Sequence, residues 1–159
     1  MVWAAIGCAG VIGPYFLDES VTGNVYLDLL QTKFWPEFCS LENSGQLIFM
    51  QDGAPPHWSR TVRNWLNQSL PHRWIGRGNS EDLNITWPPR SPDLTPCDFF
   101  LWGYVKSQVY TRNYDDINDL KAEIRRSFNE MPVEMLRSTF LNFEKRLEMV
   151  VQKNGAHIE

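Results

Sequence analysis

The sequence predicts a mixed α/β fold in which helices flank a mixed sheet. Short apolar runs separated by Gly and Pro come first, short strands then alternate with helices, and the last third is helical. The resulting order, β-β-α-β-α-β-α-α, is typical of a sheet covered by helices. The 159 residues are 43% hydrophobic and 13% aromatic, enough to bury the core of one domain. We therefore expect residues 1–159 to form a single domain.

The first half of the chain contains a predicted hairpin, one helix and one strand. Residues 2–6 and 15–17 are short apolar runs on either side of a Gly-rich stretch, which predicts the hairpin. Asn24 is the predicted cap of a helix that Pro36 kinks or ends. Residues 46–50 are the predicted strand. The helix has apolar residues at Val25, Tyr26, Leu29, Leu30 and Phe34.

The second half is predicted to become helical after two more strand pieces. Helical spacing runs from Trp58 to Leu66, and Pro71 ends that helix. Residues 74–75 and 83–87 are candidate strand pieces, and a proline-rich connector leads to a helix at 99–109. The remaining signals are a helix start at Asp115 or Asp116, another at Pro132, and a stop at Asn154-Gly155.

Charge and cysteine content exclude several classes of protein. The net charge of −4 is not that of a strongly basic nucleic-acid binder, so any DNA contact must come from local basic patches. The three cysteines, Cys8, Cys39 and Cys97, are far apart and predict neither a disulfide framework nor a zinc site. No apolar run approaches the roughly 20 residues of a membrane span, so no membrane partner is expected.

Asp52 directly follows the predicted strand, in the stretch IFMQDGAPPH. Sites in sheets of this kind form beyond the carboxyl ends of parallel strands, and Gly53 with Pro55 and Pro56 turns the backbone away. A carboxylate held there is suited to a divalent metal, since magnesium takes oxygen ligands. An equally plausible interpretation is that Asp52 caps the following helix or stabilises a turn.

Two further aspartates lie in WPPRSPDLTPCDFFLWGYVK. Asp93 follows Ser-Pro in a turn context, which predicts hydrogen bonds to local backbone. Asp98 begins a predicted helix, so it is either a helix cap or a second metal ligand that faces Asp52 across the edge of the sheet. Two such carboxylates can hold metal ions for phosphoryl transfer.

QDGAPPHWSRTVRNWL and WPPRSPDLTPCDFFLWGYVK resemble the second and third carboxylate blocks of mariner-like transposases, DNA cut-and-paste enzymes of the DDE/DDD superfamily. VWAAIG, GVIGPYFLDESVTGNVYLDLLQ and NGAHIE are similar to the same family, so the resemblance spans nearly the whole chain. It implies a ribonuclease-H-like fold in which Asp52 and Asp98, rather than Asp93, are catalytic metal ligands. It also implies two Mg²⁺ or Mn²⁺ ions, transposon-end and target DNA as partners, a homodimer of the full-length protein, and a nuclear location.

Two features depart from the family pattern. Asp52 and Asp98 are separated by 45 residues, more than is usual in mariner enzymes, and the polar loop at 76–82 is where the extra length is expected. The family's first aspartate lies on the strand before VWAAIG, so we expect an N-terminally truncated catalytic domain without its first, central strand. On this expectation two strand edges are left unpaired, unless the hairpin pairs directly with the Asp52 strand. The isolated chain is then expected not to cleave DNA.

Basic residues near the two aspartates are candidates for DNA contact. A solvated surface explains each of them singly, and only their grouping favours a DNA-backbone patch. The histidine among them is more simply explained by local packing. The alternative to a transposase fragment is a non-catalytic, transposon-derived remnant that binds DNA or a protein. The candidate DNA-binding residues are His57, Arg60, Arg63, Arg90 and Lys106.

Overall fold

The computed structural model describes residues 1–18, 20–78, 87–88, 91–156 and 158. The chain divides into two compact units. The first unit consists of Met1 and Leu17–Ser91, and the second of Val2–Phe16 and Pro92–Glu159. Residues 83–86 of the strand piece predicted at 83–87, and residues 79–82 of the polar loop at 76–82, lie outside the described residues.

A β-hairpin begins the second unit and confirms the first prediction. Strands β1 (Val2–Gly7) and β2 (Gly10–Phe16) are antiparallel, with Ala5 opposite Ile12 and Gly7 opposite Gly10. β2 begins at Gly10, earlier than the predicted start at residue 15. The register of the two strands shifts between Trp3 and Ala5, and this shift accommodates Gly13 within β2. Gly13 has φ +93°, and a Cβ there would lie 3.1 Å from the Trp3 carbonyl oxygen, so this irregularity requires glycine.

The first unit opens with helix α1 (Gly23–Leu29), a π turn (Leu30–Phe34) and helix α2 (Trp35–Ser40). The cap predicted at Asn24 is wrong, and of the two outcomes predicted for Pro36, a kink or an end of the helix, the end is not found. The cap is Thr22, whose side chain accepts from the Val25 amide at 3.3 Å, and not Asn24. Pro36 does not end the helix, because the Trp35 amide donates to the Leu30 carbonyl across the wider turn. Pro36 then falls at the start of α2, where an amide donor is not needed.

A short parallel sheet completes the first unit. Strand β3 (Phe49–Met50) pairs with β4 (Trp74–Ile75), and helix α3 (Arg60–Ser69) forms the crossover. β3 is shorter than the predicted 46–50 because Ser44–Gln46 forms a 3-10 turn. Among the described residues the hairpin and the β3–β4 pair form two separate sheets rather than a continuous one, and the hairpin does not pair directly with β3.

Aromatic and aliphatic side chains form the core of the first unit around β3. The Phe34 and Phe49 rings lie 4.8 Å apart, and Trp35 meets Trp65 edge to face at 5.6 Å. This packing holds the strand that leads to Asp52. Buried members of the core include Tyr26, Leu29, Leu30, Phe34, Phe38, Phe49, Val62, Leu66, Leu70, Trp74 and Trp87.

The second unit is mainly helical. A 3-10 turn (Pro92–Leu94) and a π turn (Cys97–Leu101) lead into α4 (Trp102–Val109), so the helix predicted at 99–109 has a wider first turn. α5 (Ile117–Asn129) and α6 (Val133–Gln152) follow.

Two of the predicted helix boundaries are confirmed in the second unit. Asp116 caps α5 by accepting from the Asn118 and Asp119 amides. Asn154 and Gly155 have positive φ and follow the end of α6, as predicted.

The core of the second unit packs the hairpin against these helices. Its buried members are Ala4, Leu101, Val105, Val109, Phe128, Met131 and Leu136. None of the helices in the described part of the chain is long and apolar enough to cross a bilayer.

Candidate functional site

Asp52 lies just beyond the carboxyl end of β3, as predicted. Its Oδ1 accepts a hydrogen bond from the Ala54 amide at 3.0 Å and lies 2.5 Å from Nδ1 of His57. Both of these hydrogen bonds therefore involve the same carboxylate oxygen, Oδ1. The side chain is 38% exposed, and neither of these hydrogen bonds uses Oδ2. Asp52 therefore stabilises the turn through Oδ1.

These contacts favour the ionised form of Asp52. The hydrogen bond with His57 lowers the pKa of Asp52 below its ordinary value of 3.8, and partial burial opposes this effect. The Ala54 amide lowers the pKa further. A carboxylate that stays charged at neutral pH is the form that binds a hard divalent cation.

A buried polar network holds His57 in place. The Tyr26 hydroxyl donates to Oε1 of Gln51 at 2.9 Å, and Nε2 of Gln51 donates to the His57 carbonyl at 2.8 Å. The Tyr26 and His57 rings lie 4.4 Å apart. Tyr26 is 1% exposed and Gln51 is 5% exposed, so the network is shielded from water. Helix α1 thereby fixes the loop that carries Asp52.

The sequence interpretation misses Tyr26 and Gln51 as contributors to this site. Helical spacing places Tyr26 on the apolar face of a helix, and Gln51 marks only the end of an apolar run. Gln51 directly follows an apolar strand, and a buried side-chain amide needs hydrogen-bond partners for its oxygen and its nitrogen. That need for partners is the signal in the sequence that could have indicated the network.

Gly53 serves close packing in this loop. From the sequence, Gly53 is expected to allow a sharp turn of the backbone. In the structure, however, the φ angle of Gly53 is not in the left-handed range. A Cβ at Gly53 would instead lie 3.3 Å from Cδ of Arg77. The Arg77 guanidinium lies 4.3 Å from the centroid of the Trp58 ring. The glycine lets this stacked arginine approach the backbone next to Asp52.

Asp98 lies in the π turn that precedes α4 and is exposed. The amides of Asp98 and Phe99 both donate to the Thr95 carbonyl, at 2.8 and 3.0 Å. π turns inside helices are frequent at functional sites. The predicted position at a helix start is thus confirmed, with a turn geometry that the sequence does not indicate.

Asp93 is buried at 8% exposure and has a long-range partner. Its Oδ2 accepts from the Ile158 amide at 3.0 Å, 65 residues along the chain. The predicted hydrogen bonding to local backbone therefore misses this contact, because turn chemistry says nothing about a distant segment. The burial of Asp93 and the exposure of Asp98 agree with the interpretation that Asp98 is the ligand candidate.

Asp52 belongs to the first unit and Asp98 to the second, so their pairing at one metal site stays a prediction. No group of three His, Cys, Asp or Glu side chains placed to hold a metal ion occurs among the described residues.

The candidate DNA-contact residues differ in their availability. Arg60 and Lys106 are exposed. Arg63 donates through Nε to the Trp58 carbonyl and through its terminal nitrogen to the Gly78 carbonyl, so a phosphate would compete with these bonds. The Nδ1 atom of His57 is hydrogen-bonded to Asp52, and the His57 ring packs against the Tyr26 ring. Arg90 lies outside the described residues.

Comparisons with known proteins point to one group of enzymes. No family model matches the chain. The Tc3 transposase of Caenorhabditis elegans is 26% identical over 158 residues, which is 98% of this chain and 44% of that protein. The Tc1 transposase of the same nematode and the Tcb2 transposase of Caenorhabditis briggsae are each 23% identical over 98% of the chain and 52% of their own lengths.

Solved structures match across almost the whole chain. The Mos1 transposase catalytic domain with raltegravir and Mn has a TM-score of 0.77 at 23% identity, covering 99% of this chain and 76% of that one. The Mos1 mariner paired-end complex with Mg has a TM-score of 0.79 at 23% identity, covering 96% and 42%. The fold is thus that of a transposase catalytic domain of the ribonuclease-H-like class.

The chain is homologous to the Tc1/mariner transposases over 98% of its length. It spans about half the length of the nematode relatives that it matches.

Proposed function

We propose that the chain is the catalytic-domain segment of a mariner-like DNA transposase, in which Asp52 and Asp98 are catalytic metal ligands. The observation that carries this proposal is Asp52 itself. It is an ionised carboxylate at the end of a parallel strand, and its Oδ1 is fixed by two donors while Oδ2 is not used by them. The proposed activity of the complete enzyme is metal-dependent DNA cleavage and strand transfer.

The proposed cofactor is Mg²⁺ or Mn²⁺. Hard carboxylate oxygens fit these ions, which retain waters and need only one or two protein carboxylates each. Mos1 catalytic domains have been solved with Mn and with Mg, which supports the same choice here. Such ions activate the attacking oxygen and stabilise the leaving oxygen in phosphoryl transfer. The role of this chain is to hold the Asp52 and Asp98 carboxylates, with His57 and Ala54 orienting the first.

DNA is the proposed partner, and the nucleus is the proposed location. Mos1 has been solved in a paired-end complex with a left transposon end and in a strand transfer complex, which supports DNA as the partner. With a net charge of −4, contact must rely on individual exposed cations such as Arg60 and Lys106.

A DNA-binding measurement tests this proposal. We expect the chain to bind a labelled duplex in fluorescence anisotropy, with an affinity that falls as salt rises. Arg60→Ala and Lys106→Ala should each reduce the salt dependence by about one unit of the log–log slope. Lys145→Ala, on an exposed part of α6, is the matched control and should change nothing. Absence of salt-dependent binding, or equal effects of all three changes, would count against DNA as the partner.

The alternative, a non-catalytic remnant that only binds DNA or a protein, is not favoured. The similarity to transposases runs through 98% of the chain, and both carboxylate blocks are present.

A further inference from the structure

A cluster in the second unit connects three distant parts of the chain around Asp93. The carboxylate of Asp93 accepts from the Ile158 amide at 3.0 Å. The carbonyl of Asp93 accepts from a terminal nitrogen of Arg146 at 3.1 Å. Ile158 is 1% exposed, and the chain between it and α6 turns back at Asn154 and Gly155. The side chain of Asp93 thus anchors the segment that follows α6, and its backbone is tied to α6 itself.

The same cluster reaches the turn that carries Asp98. The Arg146 guanidinium lies 4.4 Å from the centroid of the Phe99 ring, next to Asp98. Arg146 therefore contacts both ends of the stretch from Asp93 to Phe99. This stretch holds the Thr95 carbonyl that accepts the Asp98 and Phe99 amides.

The cluster has a physical reason to be rigid. A buried carboxylate and a half-buried guanidinium are costly to desolvate, and they are stable only while their hydrogen bonds persist. Releasing the Ile158 amide would leave the buried Asp93 oxygen without that donor. The network therefore favours one arrangement of the Asp93–Phe99 stretch over looser ones.

We propose that Asp93 and Arg146 are positioning residues, which anchor the Ile158 segment and α6 to the turn before Asp98 and so hold Asp98 in place. The consequence for metal binding rests on the proposed function of Asp98. The anchoring of the turn does not rest on it, so the two can be tested separately.

Hydrogen exchange by NMR on the 159-residue chain tests the anchor. Asp93→Ala should speed exchange of the Asp98 and Phe99 amides by about tenfold, because the turn loses a buried hydrogen bond. Asp93→Asn keeps an acceptor oxygen and should restore slow exchange. The Asn118 and Asp119 amides, which donate to Asp116, are the internal control and should not change. Ile158→Pro removes the same bond from the donor side and keeps the test open if Asp93→Ala does not fold.

Manganese broadening of the Asp98 carboxyl resonance provides the functional readout. Asp93→Ala should raise the Mn²⁺ concentration for half-maximal broadening several-fold, and Asp93→Asn should not. If exchange at Asp98 and Phe99 is unaltered in both Asp93→Ala and Ile158→Pro, or rises equally at Asn118 and Asp119, the anchor is refuted. If Asp98 is not broadened in the unchanged chain, the proposed metal role fails while the exchange data still decide the anchor.

Discussion

Both hydrogen bonds described for Asp52 use the same carboxylate oxygen, Oδ1. His57 and the Ala54 amide both meet Oδ1, and the buried Tyr26–Gln51 network fixes His57 in turn. The proposed ligand Asp52 is therefore held by groups that belong to the same unit. Preorganisation of this kind lowers the cost of bringing a charged group to a metal.

The first prediction concerns the titration of Asp52. In a ¹³C NMR titration its carboxyl should titrate below 3.8, and in His57→Ala the midpoint should rise toward that value because the hydrogen bond is lost. Since the folded-state pKa is the lower one, the interaction stabilises the fold above the ordinary pKa. That contribution is lost as pH falls through the folded-state pKa. A midpoint at or above 3.8, or one that His57→Ala leaves unmoved, would refute the role given to His57.

The sequence predicts the individual aspartates better than their surroundings. It places Asp52 at a strand end and Asp98 at a helix start because apolar periodicity and Gly/Pro signals are local. Gln51 accepts a hydrogen bond from Tyr26, which is 25 residues away. Asp93 accepts one from Ile158, which is 65 residues away. No local pattern specifies such pairs, since they exist only after the chain has folded.

Two π turns mark the elements whose backbone geometry the sequence rules do not specify. The rules predict that Pro36 kinks or ends a helix and that Asp98 begins one, and in both regions a five-residue turn shifts the hydrogen-bonding register. In the first, Trp35 donates to Leu30, and in the second, Trp102 donates to Cys97. The shift lets the chain accept Pro36 within a helical stretch and presents Asp98 on an exposed turn. Propensity rules assume the α-helical register and so cannot anticipate it.

The second prediction concerns the contact between α1 and α3. A Cβ at Gly23 would lie 2.6 Å from Oγ of Ser59, the residue that caps α3. Gly23→Ala should therefore destabilise the fold by about 1–3 kcal/mol in urea unfolding, despite the better helix propensity of Ala. The clash would displace the cap from the Val62 amide.

Gly103→Ala is the matched control for this prediction. Gly103 is an exposed residue of α4, and a Cβ added there would meet no atom within 4 Å, so Ala should stabilise by about 0.5–1 kcal/mol. Stabilisation by both changes would show that α1 and α3 are not in close contact at Gly23.

At the scale of the whole molecule, the fold class is predictable from the sequence but the strand pairing is not. The predicted order β-β-α-β-α-β is recovered, although three helices rather than two follow β4, and the fold matches that of a transposase catalytic domain. The strands of the described residues form two short sheets, one in each unit. Strand pairing depends on which edges meet, and periodicity within a strand carries no information about its neighbour.

Asp52 and Asp98 are the proposed metal ligands of this chain, and paramagnetic Mn²⁺ tests that role most directly. In a ¹³C-labelled chain, millimolar Mn²⁺ should broaden the carboxyl resonances of Asp52 and Asp98 before those of other acids. Asp52→Asn and Asp98→Asn should each weaken the broadening, and Asp93→Asn should not. Broadening centred instead on exposed acids such as Asp115 and Asp119, and unchanged in the Asp52 and Asp98 variants, would contradict the claim.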